Sequence, residues 1–211
     1  MNILSINTCF KVSDVSLYSD NCQYIAKQES ALQHSVVLMR QIDDVIEKAK
    51  IKCADLDFVC VAIGPGSFTG IRIGIAVAKG ICDANAKRII PVDTLSLIAH
   101  NAVNAPDFVV IKGIANEYFV GECSDGKVVN KILLTKEEFI RRLSTHSKVA
   151  TIDDLNDEGF MCVIERVEKL DMRQIALSNI ENAVEPTCVE PLYLRLSQAE
   201  IQKGGANNAN S

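Results

Sequence analysis

The sequence predicts an α/β fold in two lobes. Three observations lead there: three short strands open the chain, strands and helices then alternate as far as residue 103, and a second run of three strands begins at Phe108. The chain has 211 residues, 48% of them hydrophobic. That is enough to bury a core in one large domain or in two lobes of about a hundred residues each.

The elements follow in order. I3-L-S-I-N-T-C9, V12-S-D-V-S-L-Y18 and C22-Q-Y-I-A-K-Q28 read as strands, and S19-D-N21 is a turn-forming cluster between the last two. From about Ala31 to Lys50 the period is helical: Leu38, Ile42, Val45 and Ala49 form one stripe, with Arg40, Asp43, Asp44 and Glu47 off it. A strand is expected from Phe58 to Ile63, a glycine-rich loop after it and a helix from about Ile71 to Asp83. A strand at Arg88 to Val92 and a helix from Leu95 to about Val103 complete this half. The second half begins with strands at Phe108 to Lys112, Tyr118 to Cys123 and Val128 to Leu134, with Asp125-Gly126 as a strong hairpin signal. A helix at Lys136 to Ser144, strands around Lys148 to Ile152 and Met161 to Ile164, and a helix from Met172 to Ala183 follow.

Three meandering strands extended by parallel strands through helical crossovers is the ribonuclease-H-like arrangement, the building block of the actin-like ATPase and sugar kinase superfamily. The expected architecture is therefore a two-lobed actin-like ATPase fold, with mixed sheets flanked by helices and the second lobe a trimmed duplicate. Residues 1–103 are assigned to the first lobe and 104–200 to the smaller second one. Residues 201–211, which end in K203-G-G-A-N-N-A-N-S211, lack a large apolar anchor after Ile201 and are expected to be disordered.

Composition narrows the function classes. No basic stretch precedes a long apolar one at M1-N-I-L-S-I-N-T, and no segment approaches about eighteen apolar residues, so neither a signal peptide nor a membrane span is expected. Eight cysteines are scattered without a C-x-x-C pair, which points to free thiols in a reducing cytoplasm and away from a disulfide framework or a zinc site. A net charge of −5 and 5% aromatic residues argue against a chain that grips nucleic acid by itself.

The stretch G64-P-G-S-F-T-G-I-R-I-G74 invites comparison with phosphate cradles. A Walker A loop would need a glycine and then Lys-Ser/Thr where the chain has Thr69, Gly70 and Ile71. The dinucleotide pattern fails at Thr69, and a hydrolase nucleophile elbow fails at Pro65 and Thr69. What remains is weak anion contact through the backbone at Gly64, Gly66, Ser67 and Thr69, or simply tight packing where a helix begins. On a helical wheel Gly70, Gly74 and Ala78 form a small-residue stripe flanked by Ile71, Ile75 and Cys82 on one side and Ile73, Val77 and Ile81 on the other. Such a broad apolar arc calls for two neighbours. One is the helix's own sheet; the other is the Leu38/Ile42 helix or a helix of another protein. Glycine in mid-helix is unfavourable by roughly 1 kcal/mol relative to alanine, so Gly74 is expected to be the point where a partner packs.

His34-Ser35, A54-D-L-D57, the eleven-residue glycine motif with A78-K-G80, and E190-P-L-Y-L-R195 with Ala199-Glu200 together resemble the TsaB (YeaZ) family over residues 1 to about 200. The resemblance implies a two-lobed actin-like fold and a subunit of the bacterial machinery that makes threonylcarbamoyladenosine beside the anticodon of certain tRNAs. It further implies that the subunit is not the catalyst. It would pair with a catalytic paralogue, TsaD, largely through the first two helices of the first lobe, while an ATPase, TsaE, docks on the pair and a separate synthase supplies threonylcarbamoyl-adenylate. On that basis the interface is expected at His34, Ser35, Leu38, Ile42, Gly70, Arg72, Ile73, Gly74, Val77 and Ala78. No cofactor is expected in the isolated subunit, ATP being used by the wider complex, and tRNA would be reached only through that complex.

The chain departs from its relatives in ways that fit a non-catalytic role. Asn7 stands on the first strand where the superfamily commonly has a carboxylate, and Lys112 stands where relatives carry an aspartate in the second lobe. His34, His100 and His146 are too far apart in sequence for a helical metal pair. Two other readings stay open: a self-associating homodimeric scaffold, and a weak nucleotide phosphohydrolase, or the peptidase once attached by name to this wider family.

Overall fold

The computed structural model describes residues 1–29, 34–155 and 158–194, with the backbone alone for residues 29 and 34–36. The expected tail at 201–211, and the motif residues Arg195, Ala199 and Glu200, lie outside the described residues.

Strands β1 (Ile3–Asn7), β2 (Val12–Ser19) and β3 (Cys22–Glu29) form an antiparallel meander. Asp20 and Asn21 both take left-handed φ values, 50° and 62°, the conformation a two-residue hairpin turn requires. On the other side of β1, strands β4 (Phe58–Ala62) and β5 (Arg88–Val92) extend the sheet in parallel, giving the order β3-β2-β1-β4-β5. The crossovers are helices α1 (His34–Ala49) and α2 (Phe68–Asn85). Residue parity puts both on one face of the sheet. Ser13 of β2 bonds Gln41 of α1, and Ile6, which lies beside Val15 of β2, touches the site of Gly74 on α2.

After α3 (Thr94–Asn101), a second sheet repeats the design. Strands β6 (Phe108–Lys112), β7 (Glu117–Ser124) and β8 (Lys127–Thr135) form a meander, with Asp125 (φ 50°) and Gly126 (φ 72°) at the hairpin tip. Strands β9 (Lys148–Thr151) and β10 (Val163–Arg166) extend it in parallel, so the order is β10-β9-β6-β7-β8. Read outward from the central strand, the two sheets have the same topology, so the duplication keeps all five strands in each lobe. The trimming falls on the crossovers. The counterpart of the 16-residue α1 is the 7-residue α4 (Lys136–Arg142), started by a Thr135/Glu138 capping box. Among the described residues no α-helix stands where α2 would be repeated.

Several boundaries differ from the sequence reading, two of them at helices of the first lobe's core. Helix α2 starts at Phe68, three residues early, because the Ser67 hydroxyl caps it by accepting from the Gly70 amide at 3.2 Å. Helix α5 (Met172–Ser178) ends early and gives way to 3₁₀ turns at Ile180–Asn182 and Pro186–Cys188. The division expected at residue 103 is also crossed in both directions. Leu95, Ile98 and Ala99 of α3 pack into the second sheet with Val109, Ile111 and Ala150. Met172, Ile175 and Ala176 of α5, with Ala183 and Val189, return to the core of the first. Helix α5 covers the face away from α1, since Arg173 lies over Tyr18, of opposite parity to Ser13 on β2.

The glycine stripe explains how α2 sits. Gly70, Gly74 and Ala78 are buried, and they face the end of β1. A methyl group built on Gly70 would overlap the Thr8 carbonyl oxygen, and one on Gly74 would overlap the Thr8 hydroxyl, which itself donates to the Gly70 carbonyl at 2.6 Å. The expectation that Gly74 meets a partner is therefore corrected: its bare backbone is what lets α2 descend onto its own sheet. Gly80, by contrast, is exposed and has nothing within 4 Å of the place where a Cβ would go.

The two glycines should respond in opposite directions. Gly70→Ala, which drives a methyl into backbone, is expected to lower the stability of the isolated chain by about 1–3 kcal/mol. Gly80→Ala should raise it by up to about 1 kcal/mol through helix propensity alone. Urea melts of the two variants beside the parent check both signs.

Candidate functional site

A cleft of about 1970 Å³ lies between the lobes. Its walls include Asn7 and Asp14 from the first sheet, Gly66, Ser67, Phe68 and Arg72 at the start of α2, Lys112 and Asp153 from the second lobe, and Tyr193.

Asn7 and Lys112 end the central strands of the two sheets, so they occupy equivalent places in the duplicated fold. Both are engaged by their own chain. Asn7 is buried, and its Oδ1 accepts the Cys9 amide at 3.1 Å, closing the turn that leaves β1. Lys112 is ion-paired with Glu158. The same carboxylate accepts the Lys136 ammonium and the buried Tyr118 hydroxyl, each at 2.8 Å. The hydrogen bond from Lys112, followed by those from Lys136 and Tyr118, holds the Glu158 carboxyl down at about 2. Beside Asn7, Asp14 of β2 is paired with Lys27. Burial lifts its carboxyl above the ordinary range, with Lys27 only partly offsetting the rise. Among the described residues no group of three or more histidine, cysteine, aspartate and glutamate side chains is placed to hold a metal ion.

The glycine loop spends its polar groups on the fold. The Ser67 amide donates to the Cys9 carbonyl at 2.7 Å, Ser67 Oγ takes the Gly70 amide, and the carbonyls of Gly64 and Pro65 accept the Thr94 amide and hydroxyl at 2.9 and 2.5 Å. Gly64 is buried against Ile71 and the Leu192 carbonyl, and its φ of +104° suits only glycine. Thr69 is exposed in the first turn of α2 but does not line the cleft. Of the four residues expected to touch an anion, only Gly66 and Ser67 therefore reach it.

The rim of the cleft carries a cluster that the sequence reading did not assemble. Phe68 and Tyr193 stack with centroids 5.3 Å apart, the Arg72 guanidinium lies 3.9 Å over the Phe68 ring, and Arg72 Nε donates to the Tyr193 hydroxyl at 2.8 Å. The described part of the motif, residues 190–194, thereby acquires a role, as its backbone runs past the glycine loop with the Leu192 amide on the Ile63 carbonyl at 2.8 Å. Its residues lie about 120 positions beyond α2, a separation that sequence periodicity cannot bridge.

The helices expected at an interface sort into two sets. Leu38 and Ile42 of α1, like Gly70, Gly74 and Ala78 of α2, are buried inside the chain and present nothing to a partner. The reason is the same in each case: they are the residues that seat the helices on the sheet. His34 and Ser35 open α1, and Arg72 is bound at the cleft rim. Ile73 and Val77 are half-buried against the core of the first lobe, and with the exposed Ala76 and Gly80 they make an i, i+3, i+4, i+7 strip along one flank of α2, beside the buried stripe. Met39 of α1 is also exposed, at 45%.

The family model described as TsaD, tRNA N6-adenosine threonylcarbamoyltransferase, matches residues 25–138, more than half of the sequence. The tRNA threonylcarbamoyladenosine biosynthesis protein TsaB of Buchnera aphidicola subsp. Baizongia pistaciae (strain Bp) is 30% identical over 103 residues, 48% of this chain and 47% of the relative. The protein of the same description from Escherichia coli (strain K12) is 29% identical over 102 residues, 48% of this chain and 44% of its own length. The chain belongs to the TsaD family, in its TsaB (YeaZ) branch. These alignments span about half the length of the curated relatives. The fold extends further: YeaZ from Pseudomonas aeruginosa superposes with a TM-score of 0.74 at 18% identity, over 92% of this chain and 99% of that one. The actin-like architecture of the TsaB branch thus runs through both lobes. No helix among the described residues is long and apolar enough to cross a membrane.

The Glu158 cluster gives the second lobe an acid-dependent component of stability. A carboxyl held below its unfolded value stabilises fully above that value, near 4.5, and loses its contribution as the pH falls toward the folded value of about 2. Glu158→Gln should remove this component, lowering the melting temperature at pH 7 and flattening its fall between those two values. Thermal melts of parent and variant across that range measure the difference.

Proposed function

We propose that the chain serves tRNA threonylcarbamoyladenosine biosynthesis as a non-catalytic subunit, pairing with a TsaD-like catalytic paralogue through the outer face of α2. The observation that carries the non-catalytic reading is the symmetrical commitment of Asn7 and Lys112. These are the two central-strand ends from which a nucleotide-hydrolysing relative would direct carboxylates into the cleft, and here one closes a turn while the other is held by Glu158. Family membership and the names of the relatives support the pathway.

The pairing surface is argued from Gly80. A solvent-exposed glycine in mid-helix is unfavourable by roughly 1 kcal/mol and, among the described residues, nothing packs on it that would justify it. With Ile73, Ala76 and Val77 around it, a second helix could approach the α2 backbone closely there. A TsaE-like ATPase would dock on the resulting pair, and tRNA would be bound by the pair and not by this chain.

Ala76→Glu, at an exposed position, should leave the melting temperature of the isolated chain nearly unchanged while weakening its pairing with the paralogue by roughly 2 kcal/mol or more, about thirtyfold. Titration calorimetry with the paralogue reads this directly. Pairing that survives Ala76→Glu and Gly80→Leu would place the interface elsewhere, and a chain that forms dimers alone, broken by the same substitutions, would favour the homodimeric reading. The isolated chain is further expected to hydrolyse ATP no faster than a buffer blank and to give no tRNA gel shift near physiological salt. Turnover that survives repurification and disappears on altering Asp14 would contradict the non-catalytic reading.

A further inference from the structure

Among the described residues, two stretches between named elements carry the chain from one lobe to the other: residues 92–94, from β5 into α3, and residues 167–171, from β10 into α5. In a hinged two-lobed protein such crossings are where torsion angles change as the cleft closes. Here each is tied on both sides. At the first, Thr94 is fully buried and holds the glycine loop of the first lobe with its amide and hydroxyl. Its neighbour Asp93 caps α3 through the Ser96 amide at 2.9 Å and takes Lys131 of β8, in the second lobe, at 2.7 Å.

The second crossing is tied to the first. Asn101, the last residue of α3, makes a reciprocal pair with the backbone of Asp171. Its Oδ1 accepts the Asp171 amide at 2.9 Å, and its Nδ2 donates to the Asp171 carbonyl at 3.2 Å. The Asp171 carboxylate accepts Gln23 Nε2 of β3 at 2.9 Å and the Arg173 amide at 2.8 Å. One residue thus joins α3, which rides on the second sheet, to the far edge of the first sheet and to the start of α5. Beside these bonds, Phe10 and Leu170 pack against the cores of both lobes.

We infer that the two lobes are locked at one angle by a clamp centred on Asp171, with Asn101 and Gln23 as its jaws, so that the cleft neither opens nor closes on a ligand. The clamp makes the chain a fixed frame. A nucleotide added to it gains no closed state to select, and α2 and the Arg72–Tyr193 rim keep one orientation relative to the second lobe.

The test is a distance distribution between spin labels carried on keto-amino acids at exposed Glu47 of α1 and Arg141 of α4, which leaves the native cysteines untouched. The full chain should give one narrow distance, unchanged by Mg-ATP. The double variant Asn101→Ala/Gln23→Ala should broaden or split it while retaining native circular dichroism, and Asp171→Ala, which removes the Gln23 jaw but keeps the backbone pair with Asn101, should broaden it less. If Asp171→Ala fails to fold, the double variant decides alone. A parent chain with two distances, a shift on adding Mg-ATP, or a folded double variant as narrow as the parent would overturn the inference.

Discussion

The contact of Gly70 and Gly74 with Thr8 is the constraint on which the rest of the structure depends. It lets α2 lie directly on the end of β1, closer than any helix with side chains at those positions could come. From that seat follow the loop geometry that ties Ser67 to Cys9, the position of Phe68 and Arg72 at the cleft rim, and the exposure of Ala76 and Gly80. A helix standing farther off would leave the Thr8 hydroxyl without the Gly70 carbonyl, and a buried hydroxyl left unpaired is unfavourable by about 1–3 kcal/mol.

Duplication lets each lobe explain the other. Both sheets set their central strand between a meander and a parallel pair, so residues 7 and 112 answer to each other although 105 positions separate them. In the first lobe long helices cover the crossovers, and the end of the central strand turns tightly under a glycine loop. In the second the crossovers are short, and the end of β6 is held by charge, with Glu158 gathering two lysines and a tyrosine. Packing in one lobe and ion pairing in the other reach the same result: each strand end is engaged by its own chain.

Much of this was legible in the sequence. Alternation and hairpin signals located both meanders, and the strand and helix order led to the fold class, because those signals are local and repeat with a fixed period. The small-residue stripe on α2 was legible too, but its direction was not. Periodicity shows that Gly70, Gly74 and Ala78 share a face without showing what lies opposite, and a stripe fit for a partner helix is equally fit for the helix's own strand. Gly80 carried the better signal. It sits at i+7 from Ile73, to one side of the buried stripe, where an exposed glycine has no internal reason. The crossing of α3 and α5 between lobes, the Tyr193 stack on Phe68 and the convergence on Glu158 rest on contacts between distant positions, which no local pattern encodes.

The most direct measurement of this arrangement is methyl cross-saturation from the unlabelled paralogue onto the labelled chain. If the small face of α2 is spent on β1 and the flanking strip meets the partner, saturation should reach the methyls of Ile73, Ala76 and Val77 and bypass those of Ile71, Ile75 and Ala78. Saturation of Ile71, Ile75 and Ala78 with Ile73 and Val77 untouched would contradict the account, since it would mean that α2 leaves its seat on Thr8 to meet its partner.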